Sequence, residues 1–194
     1  MAGLGGGSSD AAAVLIGINE LFELNIPSET LAEIGLIIGA DVPFFLGKGA
    51  ARVCGIGEEL SSVEIKDTIY LALVKPEKSL STVDVYKKYD ELKNVSGEGS
   101  QELIAALKLG DMDAIASSLK NDLEAAAGSM CHEVTEAIEY LVEHGAAAAQ
   151  MTGSGSCVFG VFRSSETARK AASDYNLNGK AYYAQSVKNP VEID

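Results

Sequence analysis

The residues near the start of the chain have the composition of a phosphate-binding turn. Glycines at positions 3, 5, 6 and 7 lead into Ser8, Ser9 and Asp10, and an apolar helical pattern follows at once. Bare glycines let the backbone approach an anion, and free N–H groups at a helix start point toward it. The segment has no Walker A lysine and lacks the third glycine of a dinucleotide fingerprint. A terminal Gly/Ser run is also typical of a disordered tail, but the adjoining helix argues against that alternative.

Two further segments have residue types suited to phosphate chemistry. Asp41 lies between two glycine-bounded segments, beside a proline and two phenylalanines. It is either an ordinary turn residue or a partly desolvated carboxylate that accepts a proton from a substrate hydroxyl. Gly153, Ser154 and Gly155 form a second glycine loop, which is either a plain strand connector or a close approach of the backbone to a ligand. In the latter case residues 5–9 would hold that ligand from the other side.

The elements that would carry these residues begin with two amphipathic helices. Ser8 or Ser9 is expected to cap the first helix, with Asp10 in its first turn. Ser28 is expected to cap the second helix, and Gly39 to end it. Residues 39–47 are expected to form a loop and residues 49–55 a short strand. The first helix has an apolar stripe formed by Val14, Leu15, Ile18, Leu21 and Phe22, and the buried face of the second helix is marked by Leu31, Ile34 and Ile38.

The chain after residue 67 mixes strands and helices. Residues 68–74 are apolar throughout, which is typical of a central strand. The order of elements favours an α+β sandwich with helices on one face of an antiparallel sheet. We expect an exposed loop at residues 94–100 and a domain boundary near residues 61–66. Helices are predicted at residues 80–92, 101–109, 112–119, 121–127, 133–143 and 166–175, and further strands at 146–151, 157–162 and 181–186.

The composition disfavours several classes of partner. The formal net charge is −13, whereas non-specific binding to nucleic acid or to an anionic membrane needs a basic surface. No apolar run is long enough to span a membrane, and the first residues lack a signal-peptide pattern. Cys54, Cys131 and Cys157 lack metal-site spacing, so we expect free thiols in a reducing, cytoplasmic compartment. His132 and His144 are expected on the surface or at helix ends.

Four motifs taken together resemble one family of enzymes. They are Gly3-Leu-Gly-Gly-Gly-Ser-Ser-Asp-Ala-Ala12, Gly39-Ala-Asp-Val-Pro-Phe44, Asn121-Asp-Leu-Glu124 and Met151-Thr-Gly-Ser-Gly-Ser156. Their order and separations are similar to those of the small-molecule kinases that include galactokinase, homoserine kinase and mevalonate kinase, the GHMP kinase superfamily. Within it, the triple glycine and the loop at residues 39–44 most resemble kinases acting on a cytidyl diphosphate intermediate of the non-mevalonate isoprenoid pathway.

This resemblance implies a fold, a reaction and roles for three of the four motifs. The implied fold is part of a domain like the second domain of ribosomal protein S5, residues 1–63, followed by a ferredoxin-like domain, residues 64–194. The implied reaction transfers the γ-phosphate of ATP, which carries Mg²⁺, to the 2-hydroxyl of the methylerythritol substrate. Asp41 would be the catalytic carboxylate that orients or deprotonates that hydroxyl. The ATP phosphates would be bound by Gly3, Leu4, Gly5, Gly6, Gly7, Ser8 and Ser9, with Gly153, Ser154 and Gly155 lining the site from the second domain.

The resemblance also implies a substrate-binding helix face. Thr82, Tyr86 and Lys87 fall where the family contacts its cytidyl diphosphate substrate. Tyr86 would stack on the cytosine and Lys87 would pair with the diphosphate. The alternative for Tyr86 is packing in the core.

Family members have a further N-terminal segment that supplies strands and a lysine paired with the catalytic aspartate. The present sequence has no lysine before Lys48. We therefore expect little kinase activity, because phosphoryl transfer depends on positioned charge. We also expect an open sheet edge and an uncovered apolar face, and such an edge would favour a homodimer.

Two other functions compete with this interpretation. One is another GHMP-type kinase, for which homoserine or mevalonate would be the substrate. The other is a non-catalytic ligand-binding or interaction domain built on the ferredoxin-like half, which would bind neither Mg·ATP nor the cytidyl substrate.

Overall fold

A computed structural model describes residues 3–47, 49–57, 59–92 and 100–187, and these form two compact units. The first, here called the helical unit, contains residues 5–65 and Val187. The second, the sheet unit, contains residues 3–4 and 66–186. Most of the loop expected at residues 94–100 lies outside the described residues. No helix in the described ranges is both long and apolar enough to cross a membrane.

The helical unit consists of three helices and one hairpin. Strand β1 pairs antiparallel with β2, with Ala50 opposite Val63. The expected loop at residues 39–47 is wrong, because its centre forms a short helix with Pro43 in the first turn, where proline is tolerated. The elements are α1 (Gly6–Leu21), α2 (Ser28–Ile38), α3 (Val42–Leu46), β1 (Ala50–Cys54) and β2 (Glu59–Val63).

Much of the apolar surface of α1 and α2 is exposed, which corrects the expectation of a buried face on α2. Ile18 and Leu21 of α1 are 45% and 77% exposed. In α2, Leu31 is buried as expected, whereas Ile34 and Ile38 are 36% and 56% exposed. Helical periodicity identifies an apolar side of a helix but does not say which element covers it. Among the described residues of the helical unit, none covers this side, as expected for the first helix.

The sheet unit is built on a four-stranded antiparallel sheet in the order β4–β5–β3–β6, which confirms the predicted α+β class. This is the strand order of a ferredoxin-like β-α-β-β-α-β arrangement. The strands are β3 (Tyr70–Lys75), β4 (Ala148–Met151), β5 (Val158–Phe162) and β6 (Lys180–Gln185). The helices are α4 (Thr82–Leu92), α5 (Gln101–Leu109), α6 (Met112–Ser118), α7 (Glu124–Met130), α8 (His132–Glu143) and α9 (Ser165–Ser173).

Helices pack on both faces of this sheet, not on one face as predicted. The main core joins α4, α7, α8 and α9 to one face, where Val74, Val158 and Phe162 are fully buried. Alternate residues of the same strands turn to the other face, where Val161 packs with Ala106 of α5 and Ile115 of α6. This two-sided burial explains why the β3 sequence is apolar from residue 70 to residue 74, before the exposed Lys75 at its end.

An apolar cavity of about 340 Å³ lies on the α5–α6 side of the sheet. Leu4, Leu71, Leu107 and Val161 contribute to its lining. Its two lining hydroxyls are already engaged, since Thr152 donates to the Gly3 carbonyl and Ser186 accepts from the Ile69 N–H. Leu4 therefore places its side chain against an apolar surface.

Two leucines at contrasting positions test the main core. Replacing the fully buried Leu141 by alanine removes methyl groups from the α8–sheet contact and should lower the free energy of unfolding by about 2–5 kcal/mol. Leu109→Ala, at a site 68% exposed, should change it by less than about 1 kcal/mol. Urea unfolding followed by circular dichroism measures both. Equal losses would contradict the assignment of the core.

Candidate active site

The first turn of α1 presents unpaired backbone N–H groups. Gly5 occupies the N-cap position in the left-handed conformation, with φ 64°. The first described helical hydrogen bond runs from the Ser9 N–H to the Gly5 carbonyl, at 2.9 Å. The N–H groups of Gly6, Gly7 and Ser8 therefore have no partner among the described residues. With no acidic residue in this turn, the positive end of the helix dipole is open to an anion.

The predicted serine cap of α1 is wrong. The helix begins at Gly6, before both serines, because the left-handed Gly5 turns the chain into the helix. Ser9 lies inside the first turns and donates its hydroxyl hydrogen to the Gly6 carbonyl, at 2.8 Å. Asp10 is consequently the fifth helical residue and lies beyond the first turn. An anion at the helix start would not meet its carboxylate in that turn.

Among the described residues, none lies close enough to Gly6 or Gly7 to require glycine at these two positions. A Cβ atom placed on either residue would meet nothing within 4 Å. Both residues are exposed. Glycine is costly inside a helix compared with alanine, by about 1 kcal/mol. Open space beside two such glycines favours a ligand that needs close access to the backbone.

Glycines from three elements fix helix α3 and the residue before it, Asp41. A Cβ on Gly5 would lie 2.7 Å from the Phe45 ring, so the α1 N-cap rests directly on α3. A Cβ on Gly35 of α2 would lie 3.0 Å from Val42. In the β1–β2 hairpin turn, a Cβ on the buried Gly57 would collide with the carbonyl oxygen of Ala40.

The packing around α3 fixes the backbone at Asp41, whereas the Asp41 carboxylate has no hydrogen-bond or ion-pair partner among the described residues. Asp41 occupies the N-cap position of α3, but its side chain makes no capping hydrogen bond. It is exposed and forms no ion pair with any described residue. Of the two alternatives for Asp41, an ordinary turn residue or a partly desolvated carboxylate, the exposure of its side chain within the helical unit shows no desolvation. Its oxygens are available to accept a hydrogen bond from a hydroxyl group.

The second glycine loop contacts the first residue of the glycine-rich segment. The Thr152 hydroxyl donates to the Gly3 carbonyl at 2.9 Å. A Cβ on Gly3 would collide with the Thr152 carbonyl oxygen, so the backbones touch. The structure therefore brings Gly3 to the loop at residues 153–155 in the sheet unit, and Gly5–Ser9 to Asp41 in the helical unit.

The three predicted substrate contacts lie on α4, beside the same loop. Thr82 shares a 2.8 Å hydrogen bond between hydroxyls with Ser154. Tyr86, one helical turn later, is 53% exposed and does not pack in the core. Lys87 lies 3.8 Å from Asp84, and both side chains are exposed. Such a surface pair contributes little energy, which leaves the ammonium group available to another anion.

Sequence reasoning gave no role to Asn121 and Glu124, although both reach the loop. Asn121 donates to the Met151 and Gly153 carbonyls, and Glu124 accepts from the Met151 N–H. The helix predicted at residues 121–127 instead begins at Glu124, which leaves Asn121 outside it. The signal was present, since an Asn followed three residues later by a Glu is a polar pair at a helix start.

The cysteines and histidines do not form a second chemical site. All three cysteines are free, as predicted. Burial raises the pKa of the Cys157 and Cys131 thiols, so both are protonated at neutral pH. His144 ends α8 and stacks on Tyr140, with ring centroids 3.8 Å apart. In the described part of the chain, no group of three or more His, Cys, Asp or Glu residues could hold a metal ion.

Comparison with known proteins shows similarity across nearly the whole chain. The models for the GHMP kinases N terminal domain and GHMP kinases C terminal match residues 1–49 and 103–181. The 4-diphosphocytidyl-2-C-methyl-D-erythritol kinase of Alkaliphilus oremlandii is 42% identical over 99% of this chain. That alignment covers 66% of the Alkaliphilus protein, so the chain spans just under two thirds of this relative's length.

Solved structures give the same picture. A crystal structure of 4-(cytidine 5'-diphospho)-2C-methyl-D-erythritol kinase matches 95% of this chain and 66% of its own, with 30% identity and a TM-score of 0.80. A homoserine kinase from Cytophaga hutchinsonii covers 97% of this chain and 67% of its own, with a TM-score of 0.74. Its 18% identity supports a shared fold only.

Gly57 and Gly39, on either side of the Asp41 segment, form a matched pair for testing the support of α3. Gly57→Ala introduces a side chain at φ 123° against the Ala40 carbonyl and should cost about 1–3 kcal/mol of stability. Gly39→Ala places its Cβ 3.6 Å from Val42, an ordinary contact in extended backbone, and should cost less than about 0.5 kcal/mol. Thermal unfolding compares them. Equal stability of the two variants would contradict a tight Gly57–Ala40 contact.

Proposed function

We propose that this chain, which belongs to the GHMP kinase family, phosphorylates 4-diphosphocytidyl-2-C-methyl-D-erythritol with ATP. The observation that carries the proposal is the open first turn of α1, packed through Gly5 against the helix that follows Asp41. Relatives about 40% identical bear the name of this kinase. The hydroxyl that accepts the phosphoryl group is the 2-hydroxyl of the methylerythritol part.

The phosphates would be bound mainly by backbone groups. The N–H groups of Gly6, Gly7 and Ser8 would donate to phosphate oxygens at the positive end of α1. The remaining members of the segment, Gly3, Leu4, Gly5 and Ser9, would hold its shape, and residues 153–155 would line the nucleotide site. A backbone cradle does not need the lysine of a Walker A loop.

Asp41 would act on the substrate hydroxyl. Its carboxylate would first accept a hydrogen bond from the substrate hydroxyl. It would then take the proton of that hydroxyl as the hydroxyl oxygen forms a bond to the γ-phosphorus of ATP. The bond between that phosphorus and the β–γ bridging oxygen breaks, and ADP leaves. The proton on Asp41 then passes to solvent, which restores the carboxylate.

Mg²⁺ would arrive bound to ATP. Because the described residues contain no ready cluster of metal ligands, the phosphates would supply much of its coordination, as is common for Mg²⁺. The ion would neutralise charge on the transferred group.

Several wider properties are part of the same proposal. We also propose a partial N-terminal kinase domain at residues 1–63 and a ferredoxin-like C-terminal domain at residues 64–194. We infer a cytoplasmic location, no nucleic-acid partner, and a homodimer formed through an exposed sheet edge. The acidic sequence, with a net charge of −13, supports the second of these.

The Asp41→Asn variant tests the reaction. It should bind Mg·ATP normally but transfer phosphate about 10²–10⁴ times more slowly, because asparagine cannot accept the proton. Glu33→Gln removes a charge from an exposed side chain of the same unit and is the matched control. Single-turnover reactions with protein in excess, followed by ³¹P NMR, detect transfer even where turnover is slow.

The substrate panel for this assay contains the cytidyl diphosphate compound, homoserine and mevalonate. Transfer to the cytidyl compound alone is the expected result. Transfer to homoserine or mevalonate instead would contradict the proposed substrate. Failure of the unmodified chain to bind Mg·ATP by calorimetry would favour a non-catalytic domain.

Tyr86 and Tyr182 allow a controlled test of base stacking. They are 53% and 52% exposed, so removing either ring disturbs little packing. Tyr86→Ala should weaken binding of the cytidyl substrate about 5- to 100-fold, since stacking a base on an aromatic ring is worth about 1–3 kcal/mol. Tyr182→Ala should leave the dissociation constant unchanged. Calorimetric titration distinguishes them, and equal affinities would remove Tyr86 from the substrate site.

A further inference from the structure

Asn121 uses its whole side chain to hold backbone groups at the end of β4. Its Nδ2 group donates to the Met151 carbonyl at 2.7 Å and to the Gly153 carbonyl at 2.9 Å. Its Oδ1 atom accepts from the Leu123 N–H at 3.0 Å. This last bond closes a local turn before α7, whereas the first two join Asn121 to residues about thirty positions later in the sequence. A turn residue alone would not need them.

Glu124 holds the same peptide region from its other polar side. Its Oε2 atom accepts from the Met151 N–H at 2.8 Å. Both backbone polar groups of Met151, a residue 1% exposed, are therefore bound by side chains from one short segment. A buried backbone group that lost such a partner would be costly, so the register of the loop is fixed here.

Through its contacts with Gly3, the loop also fixes the start of the glycine-rich segment. Thr152 lies between the two carbonyls that Asn121 holds, and its own N–H donates to the Cys157 carbonyl at 2.9 Å. Its hydroxyl is thus oriented to donate to Gly3, at 2.9 Å. Gly153 would carry a Cβ only 3.5 Å from the Gly3 carbonyl oxygen. Gly3 and this loop form one packed backbone assembly within the sheet unit.

We propose that Asn121 and Glu124 are positioning residues for the nucleotide phosphates. They hold residues 151–153, and Thr152 in turn holds Gly3 at the start of the phosphate-binding segment. Neither side chain needs to touch ATP. The inference rests on the proposed function, because it assumes that residues 3–9 and 153–155 bind ATP.

Two nearly isosteric substitutions separate this role from simple packing. Asn121→Asp keeps the acceptor for Leu123 but places an oxygen opposite two carbonyl oxygens, so it should release the loop. Glu124→Gln keeps an oxygen that can accept from Met151 and serves as the conservative control. Asn121→Ala removes the donors without repulsion and replaces Asn121→Asp if the latter does not fold.

Hydrogen exchange and nucleotide binding are measured on the full 194-residue chain. In Asn121→Asp, the amides of residues 152–155 should exchange at least about tenfold faster, while those of β3 and β5 keep their rates. The dissociation constant for Mg·ATP should rise about tenfold or more. Glu124→Gln should stay within about twofold on both measurements. Thr152→Val, which removes only the link to Gly3, should weaken Mg·ATP binding while leaving loop exchange close to that of the parent.

The outcomes separate the inference from the proposed function. Unchanged hydrogen exchange in the loop of both Asn121 variants would show that Asn121 does not hold residues 151–153. Faster exchange with unchanged Mg·ATP affinity would show that holding this loop does not position the phosphates. Loss of affinity in Glu124→Gln equal to that in Asn121→Asp would indicate general disruption and also overturn the inference. If the parent chain itself binds no Mg·ATP, the proposed function fails, whatever the exchange rates show.

Discussion

A backbone that binds phosphate must be bare, and this constraint shapes the structure around it. Gly6 and Gly7 contribute no side chains to the first turn of α1, so this turn has no apolar side chain to bury in a core. Glycine also has the largest conformational entropy to lose on folding. The order of the segment must therefore be supplied by neighbouring elements, and the contacts of Gly3, Gly5 and Asp41 show how this is achieved.

The two units meet this need in different ways. In the helical unit, glycines of α1, α2 and the hairpin turn allow close packing against α3 and Ala40. In the sheet unit, the polar side chains of Asn121, Glu124 and Thr152 bind backbone groups. At the glycine contacts, the packing is so close that no larger residue fits. The hydrogen bonds instead fix the orientation of the backbone groups, because such bonds are directional. Both leave the open N–H groups in the first turn of α1 available to a ligand.

The sequence predicted the sheet unit better than the helical unit. The strands of the sheet and helices α5, α6 and α8 were placed to within about two residues, because packing on both faces makes β3 and β5 uniformly apolar. Helix α3 was missed because its five residues carry Pro43 and follow glycine, signals that usually mark a loop. Strand β2 was missed because four of its five residues are exposed and show no alternation.

Some features of the site could not be predicted from local patterns at all. The start of α1 depends on the left-handed conformation of Gly5, which lies directly against the ring of Phe45, forty residues away, and leaves no room for a Cβ. Likewise, Asn121 was predicted to lie in a helix and was quoted as part of a motif, but its two long-range bonds arise only once β4 ends beside α7. The chemistry-bearing residues were visible in sequence, but the residues that hold them were not.

Because the chain is acidic, the contacts that hold the glycine-rich backbone in place matter for the binding of an anion. With a net charge of −13, the protein as a whole repels anions, and in physiological salt charges are screened beyond about 8 Å. An anionic nucleotide bound as proposed would then be attracted only at short range, by N–H groups at the end of one helix dipole whose first turn has no acidic residue. Hydrogen bonds of this kind weaken steeply when their angles are poor. Binding at such a site depends on the accurate placement of the backbone more than on attraction from a distance, which is why small displacements of Gly3 or Gly5 would matter.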